Sequence, residues 1–241
     1  MAVCCCACPQ PSGCQAQETV TGWLEFSVAY AAFFLTHSLP VRPPLRPLLQ
    51  ATLGPSGFTL AYSAISLAAL ASLIGAAGTA PFVPPWDWAP WQIYVPLTVM
   101  LPVCVILSLA IARPNPFSFG GARTEMFDPA RPGIVRVHRH PLLLSLAFWA
   151  AAHTVPNGDL AHVMLFGTFA FFAVLGPRLV DRRRQREMGA EWQVLRSAVA
   201  RAPLWPPSSS IALALRLAVG ALLYGGLIAL HPYLFGVSPL P

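Results

Sequence analysis

Apolar residues run along this chain in long blocks instead of alternating with polar ones. Six blocks stand out, at 20–38, 58–77, 92–112, 141–155, 160–180 and 211–230. A helix rises about 1.5 Å per residue and the hydrocarbon layer is roughly 30 Å thick, so a crossing needs about 20 mainly apolar residues. Only 141–155 falls clearly short of that length, and its helix is expected to include residues before it. The pattern therefore predicts an all-α fold, a bundle of about six transmembrane helices forming one domain over 18–235. A Cys-rich tail at 1–17 and a short tail at 236–241 flank it. Pro96 and Pro102 fall inside the third block and predict a kink there. The stretch 181–199 reads as an interfacial helix, with Trp192 and Leu195 on one face and arginines on the other.

Composition agrees. The chain is 56% hydrophobic and only 10% charged, with a mean hydropathy of +0.60. Soluble domains carry roughly 25% charged residues, so a soluble enzyme, a secreted disulfide scaffold and a nucleic-acid-binding module are excluded. The net charge of +6 comes from 15 basic residues, all of them arginine. Those arginines lie after block one (Arg42, Arg46), between blocks three and four, and between blocks five and six or just inside their ends. Loops 78–91 and 156–159 have none. Positive charge on alternate loops marks the cytoplasmic side, which places both termini on the non-cytoplasmic side. Trp23, Trp86, Trp88, Trp91 and Tyr233 then sit at the outer interface, and Trp192 and Trp205 at the inner one.

The six cysteines do not form a disulfide framework, because Cys4, Cys5, Cys6, Cys8 and Cys14 crowd into the first fourteen residues. That stretch reads as a low-complexity tail, with a lipid-modified anchor or a metal-binding tail as alternatives. Cys104 lies inside an apolar block.

Ionisable residues inside a bilayer are the informative ones, and histidine is a common ligand of haem iron, zinc and copper. The topology puts His37, His138 and His140 near the cytoplasmic face. His153, His162 and His231 fall near the outer face. Two histidines at one depth can form a bis-histidine haem site, and three can hold a metal. The bland alternative is an interfacial polar residue, the simpler reading for His138, His162 and His231.

Longer motifs narrow this. Pro132-Gly133-Ile134-Val135-Arg136-Val137-His138-Arg139-His140-Pro141 leads into Trp149-Ala150-Ala151-Ala152-His153-Thr154. Asn157-Gly158-Asp159, Asp181-Arg182-Arg183 and Gly189-Ala190-Glu191-Trp192 follow. With Thr36-His37-Ser38, Arg46 and Tyr62-Ser63 ahead of them, these residues resemble the NnrU family of membrane proteins. That family is similar in turn to zeta-carotene isomerase, a haem-b membrane enzyme. The resemblance implies a multi-pass protein of the bacterial cytoplasmic membrane, associated with nitrogen-oxide metabolism in denitrifying bacteria. Haem b is the implied cofactor, His37 and His153 its axial ligands, and a nitrogen oxide or a small apolar molecule the implied ligand. Arg139 and His140 join the expected cofactor-binding set. Arg136, Arg139 and the Arg182–Arg186 cluster read most simply as positive-inside anchors for anionic lipid head groups, and the alternative is that Arg136 and Arg139 pair with haem propionates or with Asp181. In the isomerase a cysteine three residues before the second histidine is an alternative iron ligand. Ala150 stands there, which counts against isomerase activity.

Depth and resemblance pull apart. His37 and His153 approach opposite faces, so one iron shared between them requires the fourth span to be tilted, short or re-entrant. Depth alone pairs His37 with His140, or His153 with His162. Two other readings stay open. One is a non-enzymatic assembly or haem-handling factor for nitrogen-oxide reductases. The other is an S-adenosylmethionine-dependent membrane methyltransferase using His140 and Glu191, although Asp181-Arg182 replaces its expected Glu-Glu pair and Ser145 its glycine.

Overall fold

A computed structural model describes residues 12–119, 124–204 and 210–241. Cys4, Cys5, Cys6, Cys8 and Trp205 lie outside the described residues. Among those described, the α-helices and 3-10 turns are joined by loops, with no strand. The helices are α1 (Ser12–Ser38), α2 (Leu45–Thr79), α3 (Tyr94–Ala110), α4 (Ile134–Val137), α5 (Pro141–Thr154), α6 (Leu160–Met188), α7 (Ala190–Arg201) and α8 (Ser210–Phe235). Each of the six apolar blocks forms a helix, so the all-α prediction stands.

Among the described residues, four segments are long and apolar enough to cross a membrane: α2, α3 with the 3-10 turn before it, α6, and Ile211–Phe235 of α8. The protein itself buries only 11, 22, 17 and 6% of their apolar windows, in that order. So much outward apolar surface is unfavourable in water and natural in lipid. The protein is a helical membrane protein. The fourth block departs from expectation. Its helix begins at Pro141 and does not extend back, because His140 holds a non-helical backbone (φ −118, ψ 64) and α4 is a separate single turn. Proline at the first helical position is pre-set for the helix and has no N–H to lose. At 14 residues α5 rises about 21 Å.

The chain divides into two compact units. The first comprises residues 1–85 and 159–165, the second 86–158 and 166–241. In the first, α1 packs on α2 around buried Phe26, Phe33, Phe58 and Leu73. A Cβ on Gly22 would stand 2.8 Å from the Pro81 ring, so that approach needs a glycine. Gly54 interrupts α2 with φ 71 and ψ 164, just before Pro55. A positive φ that suits glycine, followed by a residue with no donor, is a combination that breaks a helix.

In the second unit α3 is the central helix, packed against α5 and α8. Gly220 of α8 lets the backbones meet, since a Cβ there would lie 2.9 Å from Val105 Cα. Arg216 Nη1 donates to the Ser108 carbonyl at 2.5 Å, and Tyr224 Oη to the Leu97 carbonyl at 2.7 Å. These bonds give the otherwise apolar α3–α8 contact a fixed register. The expected helix over 181–199 is two helices instead. α6 continues to Met188, Gly189 turns the chain with φ 60, and α7 follows. Trp192 and Val199 of α7 are buried with Phe117 and Val135.

Candidate functional site

The polar residues of the second unit converge on the start of α5. Gly133 adopts φ 59 with Arg113 Nη2 3.0 Å from where a Cβ would stand, so the backbone turns there only as glycine. One turn of α4 then leads through an extended His138 (φ −146, ψ 126) and a bend at Arg139 to the non-helical His140. Asn115 fixes this strand of chain: its Nδ2 donates to the Arg139 carbonyl at 3.0 Å, and its Oδ1 accepts from the Phe117 N–H at 3.0 Å.

Arg139 and His140 both reach Asp181 on α6. Arg139 Nη2 donates to Oδ2 at 2.8 Å, and His140 Nε2 lies 3.0 Å from Oδ1. His140 Nδ1 is 3.0 Å from Ser118 Oγ. A carboxylate only accepts, so Nε2 carries the hydrogen and the Ser118 hydroxyl donates to Nδ1. Burial pushes the His140 pKa below its ordinary value of 6.5, against the opposing pull of Asp181, in keeping with this neutral ring. Both ring nitrogens and both carboxylate oxygens are thus engaged. Of the two partners expected for Arg139, the structure gives Asp181. Arg136 instead donates from Nε to the Ala202 carbonyl at 2.9 Å.

His153, thirteen residues on, lies about 20 Å along α5 from His140. The expected set thus separates, with Arg139 and His140 together and His153 at the opposite end. There His153 Nδ1–H donates to the Trp149 carbonyl at 2.8 Å. The ring stands among Trp149 and Phe166, at centroid distances of 5.4 and 5.7 Å. No hydrogen-bond partner engages Nε2 among the described residues. Asn157 Nδ2 donates to the His153 carbonyl at 2.7 Å, and Trp86 Nε1 to the Val155 carbonyl at 3.1 Å, which hold this helix end in place.

His37 belongs to the first unit, near the end of α1. Its ring lies 4.2 Å from that of Phe33, and Tyr62 Oη donates to its carbonyl at 3.0 Å. Its Nδ1 is buried with no hydrogen-bond partner among the described residues. The remaining histidines have ordinary partners: His162 pairs with Asp159 at 2.6 Å, and His231 Nδ1 bonds the Val237 carbonyl at 2.8 Å. Among the described residues no group of three or more His, Cys, Asp or Glu side chains is placed to hold a metal ion.

The short α5, the Arg-His-Pro turn and its Asp181 brace lie within one long stretch of sequence that is recognisable as a family. The sequence profile of the NnrU proteins matches residues 25–239. The chain belongs to the NnrU family. The match extends well past the His37–Trp192 span that carried the resemblance, taking in α8 as well. No curated protein and no solved structure matches the chain.

Two histidines of this NnrU chain, His153 and His37, have donor chemistry of the kind a haem iron would require. An imidazole whose Nδ1–H is tied to a carbonyl presents Nε2 in the tautomer and orientation an iron ligand needs, and His153 has that arrangement. His37 has an orphaned buried nitrogen, a group that native structures rarely leave unexplained. Ser118 and Asn115 were invisible to sequence reasoning. They lie in a long loop with no periodicity, and only contacts across 22 and 24 residues identify them.

Proposed function

We propose that this NnrU protein crosses the bacterial cytoplasmic membrane six times, with both termini outside, and holds haem b through His153. The observation that carries the reading is the Nδ1–H bond of His153 to the Trp149 carbonyl, which leaves Nε2 as the ring's open donor pair. His37 is proposed as the second histidine ligand. Arginine on alternate loops supports the orientation, and α1 and α5 are the two further crossings. At about 21 Å α5 is shorter than the hydrocarbon layer, the short fourth span that His37 and His153 need in order to approach one iron, and local thinning of the bilayer accommodates the mismatch.

Bound haem, held by His153 and His37, would supply a redox-active iron able to take nitric oxide or to act on a polyene. The chain's own residues do the rest. The Trp149 carbonyl fixes the His153 tautomer, and Trp149 and Phe166 exclude water from the ring. The Arg139–Asp181–His140–Ser118 cluster anchors the other end of the helix. With Ala150 where the isomerase has its cysteine, nitrogen-oxide chemistry is the preferred branch over isomerisation. The methyltransferase reading is disfavoured, because the His140 ring is engaged on both nitrogens and Glu191 points outward.

The test is the absorption spectrum of the purified protein, oxidised and dithionite-reduced, after expression with haem precursor. A b-type spectrum that both His37→Ala and His153→Ala abolish supports the reading. Spectra unchanged in both variants would overturn it.

A further inference from the structure

Beside the Arg-His-Pro turn, within the second unit, lies a cavity of about 260 Å³. Its apolar part is Phe117, Val135, Pro177 and Val199, and its polar part is Arg136, His138, Arg139 and Arg196, with His140 behind them. Among the described residues no acidic side chain lines it. Drug-sized ligand pockets run from roughly 300 to 1,000 Å³, so this cavity suits a compact group and excludes a tetrapyrrole.

The donors around it are conspicuously short of acceptors. Arg136 spends only Nε, on the Ala202 carbonyl, leaving both terminal nitrogens of its fork. Arg196 lies over the Trp192 ring at 5.2 Å and has no carboxylate partner among the described residues. Arg139 gives one terminal nitrogen to Asp181, while its Nε is buried without an acceptor. His138 Nδ1 accepts from the His140 N–H at 3.2 Å, so the neutral ring carries its hydrogen on Nε2 and is a donor there. Guanidinium groups held in place around an apolar floor match the geometry of a phosphate. An orphaned buried donor is costly unless an acceptor reaches it.

We infer that this cavity is a binding site for a phosphate group, with Arg136 and Arg196 as its principal donors and Arg139 and His138 assisting. The phosphate belongs either to the head group of an anionic phospholipid or to a small soluble phosphorylated compound. The site does not depend on haem: its lining comes from Phe117, the 135–140 segment, α6 and α7, without His37 or His153, and its test reads phosphate.

The experiment uses the full chain in mild detergent. Native mass spectrometry is run after adding phosphatidylglycerol or phosphatidylcholine, and inorganic phosphate is titrated by calorimetry. Arg136→Lys, which keeps charge but loses the fork, and Arg196→Gln are compared with wild type, with thermal unfolding as the check on folding. Arg178→Gln, outside the cavity lining, is the control. The expected result is one phosphatidylglycerol retained in preference to phosphatidylcholine, about tenfold more weakly in either cavity variant, as for loss of a charge-assisted hydrogen bond. Phosphate binding with the same variant dependence but no lipid preference assigns the site to a soluble compound. Equal retention of lipid and phosphate by wild type and folded variants, or binding of neither probe, overturns the inference.

Discussion

The two ends of α5 carry the same residue type and use it in opposite ways. At the first end His140 is buried, and Ser118 and Asp181 occupy its two nitrogens at 3.0 Å each. At the other end His153 spends one nitrogen on its own helix and keeps the second. A closed histidine braces and an open one can bind. What separates them is the neighbourhood: carboxylate, hydroxyl and arginine around the first, tryptophan and phenylalanine around the second.

The largest predicted effect breaks the comparison outright. His153→Ala should remove the haem absorbance while costing the haem-free protein only on the order of 1 kcal/mol of stability, the loss of the Nδ1–H bond to the Trp149 carbonyl. Asp181→Ala should do the reverse. It strips His140 and Arg139 of their shared acceptor, and breaking a buried pair costs on the order of 3 kcal/mol, so detergent unfolding shifts strongly while the haem content of the folded fraction holds. Asn115→Ala removes two hydrogen bonds at the same end. It should cost about 1–3 kcal/mol by the same measurement, and an effect indistinguishable from zero would mean the 138–140 segment needs no such clamp.

A titration sharpens the contrast further. The His140 pKa is lower folded than its ordinary 6.5, so the unfolded chain binds the proton more readily. Its contribution to stability is therefore complete above about pH 6.5 and falls away as pH drops below that value. Unfolding midpoints measured between pH 7.5 and 5 (roughly one unit either side of the ordinary histidine value) should fall with acid in wild type. In a folded His140→Gln variant the fall should be smaller. The smallest effect belongs to the exposed Arg183–Glu187 and Arg184–Glu187 pairs, at 2.6 and 3.0 Å. Exposed pairs contribute little, and Glu187→Gln should leave both the midpoint and the haem content unchanged.

The helices were legible because a membrane imposes its pattern on every residue that crosses it. All six apolar blocks became helices, and Asp181 was one of the two partners that charge offered Arg139. Boundaries were harder. The start of α5 at Pro141 depends on the His140 backbone, and the break at Gly189 on one positive φ, neither of which hydropathy encodes. The brace at the start of α5 was half legible. Arg139, His140 and Asp181 form recognisable motifs, whereas Ser118 and Asn115 are common loop residues whose roles arise only from tertiary contact. Similarly, Arg136 was expected at an acidic group, but the fold brings it to the Ala202 carbonyl and to a cavity that no spacing in the chain announces.

The central claim is that the open nitrogen of His153 is a haem ligand. It is tested most directly by a pyridine haemochrome assay on purified wild type and His153→Ala, the variant repeated with added imidazole. The account predicts stoichiometric haem b in wild type, its loss in the variant, and its recovery when imidazole replaces the missing ring. A colourless wild type expressed with haem precursor, or a variant that keeps its haem, would contradict it.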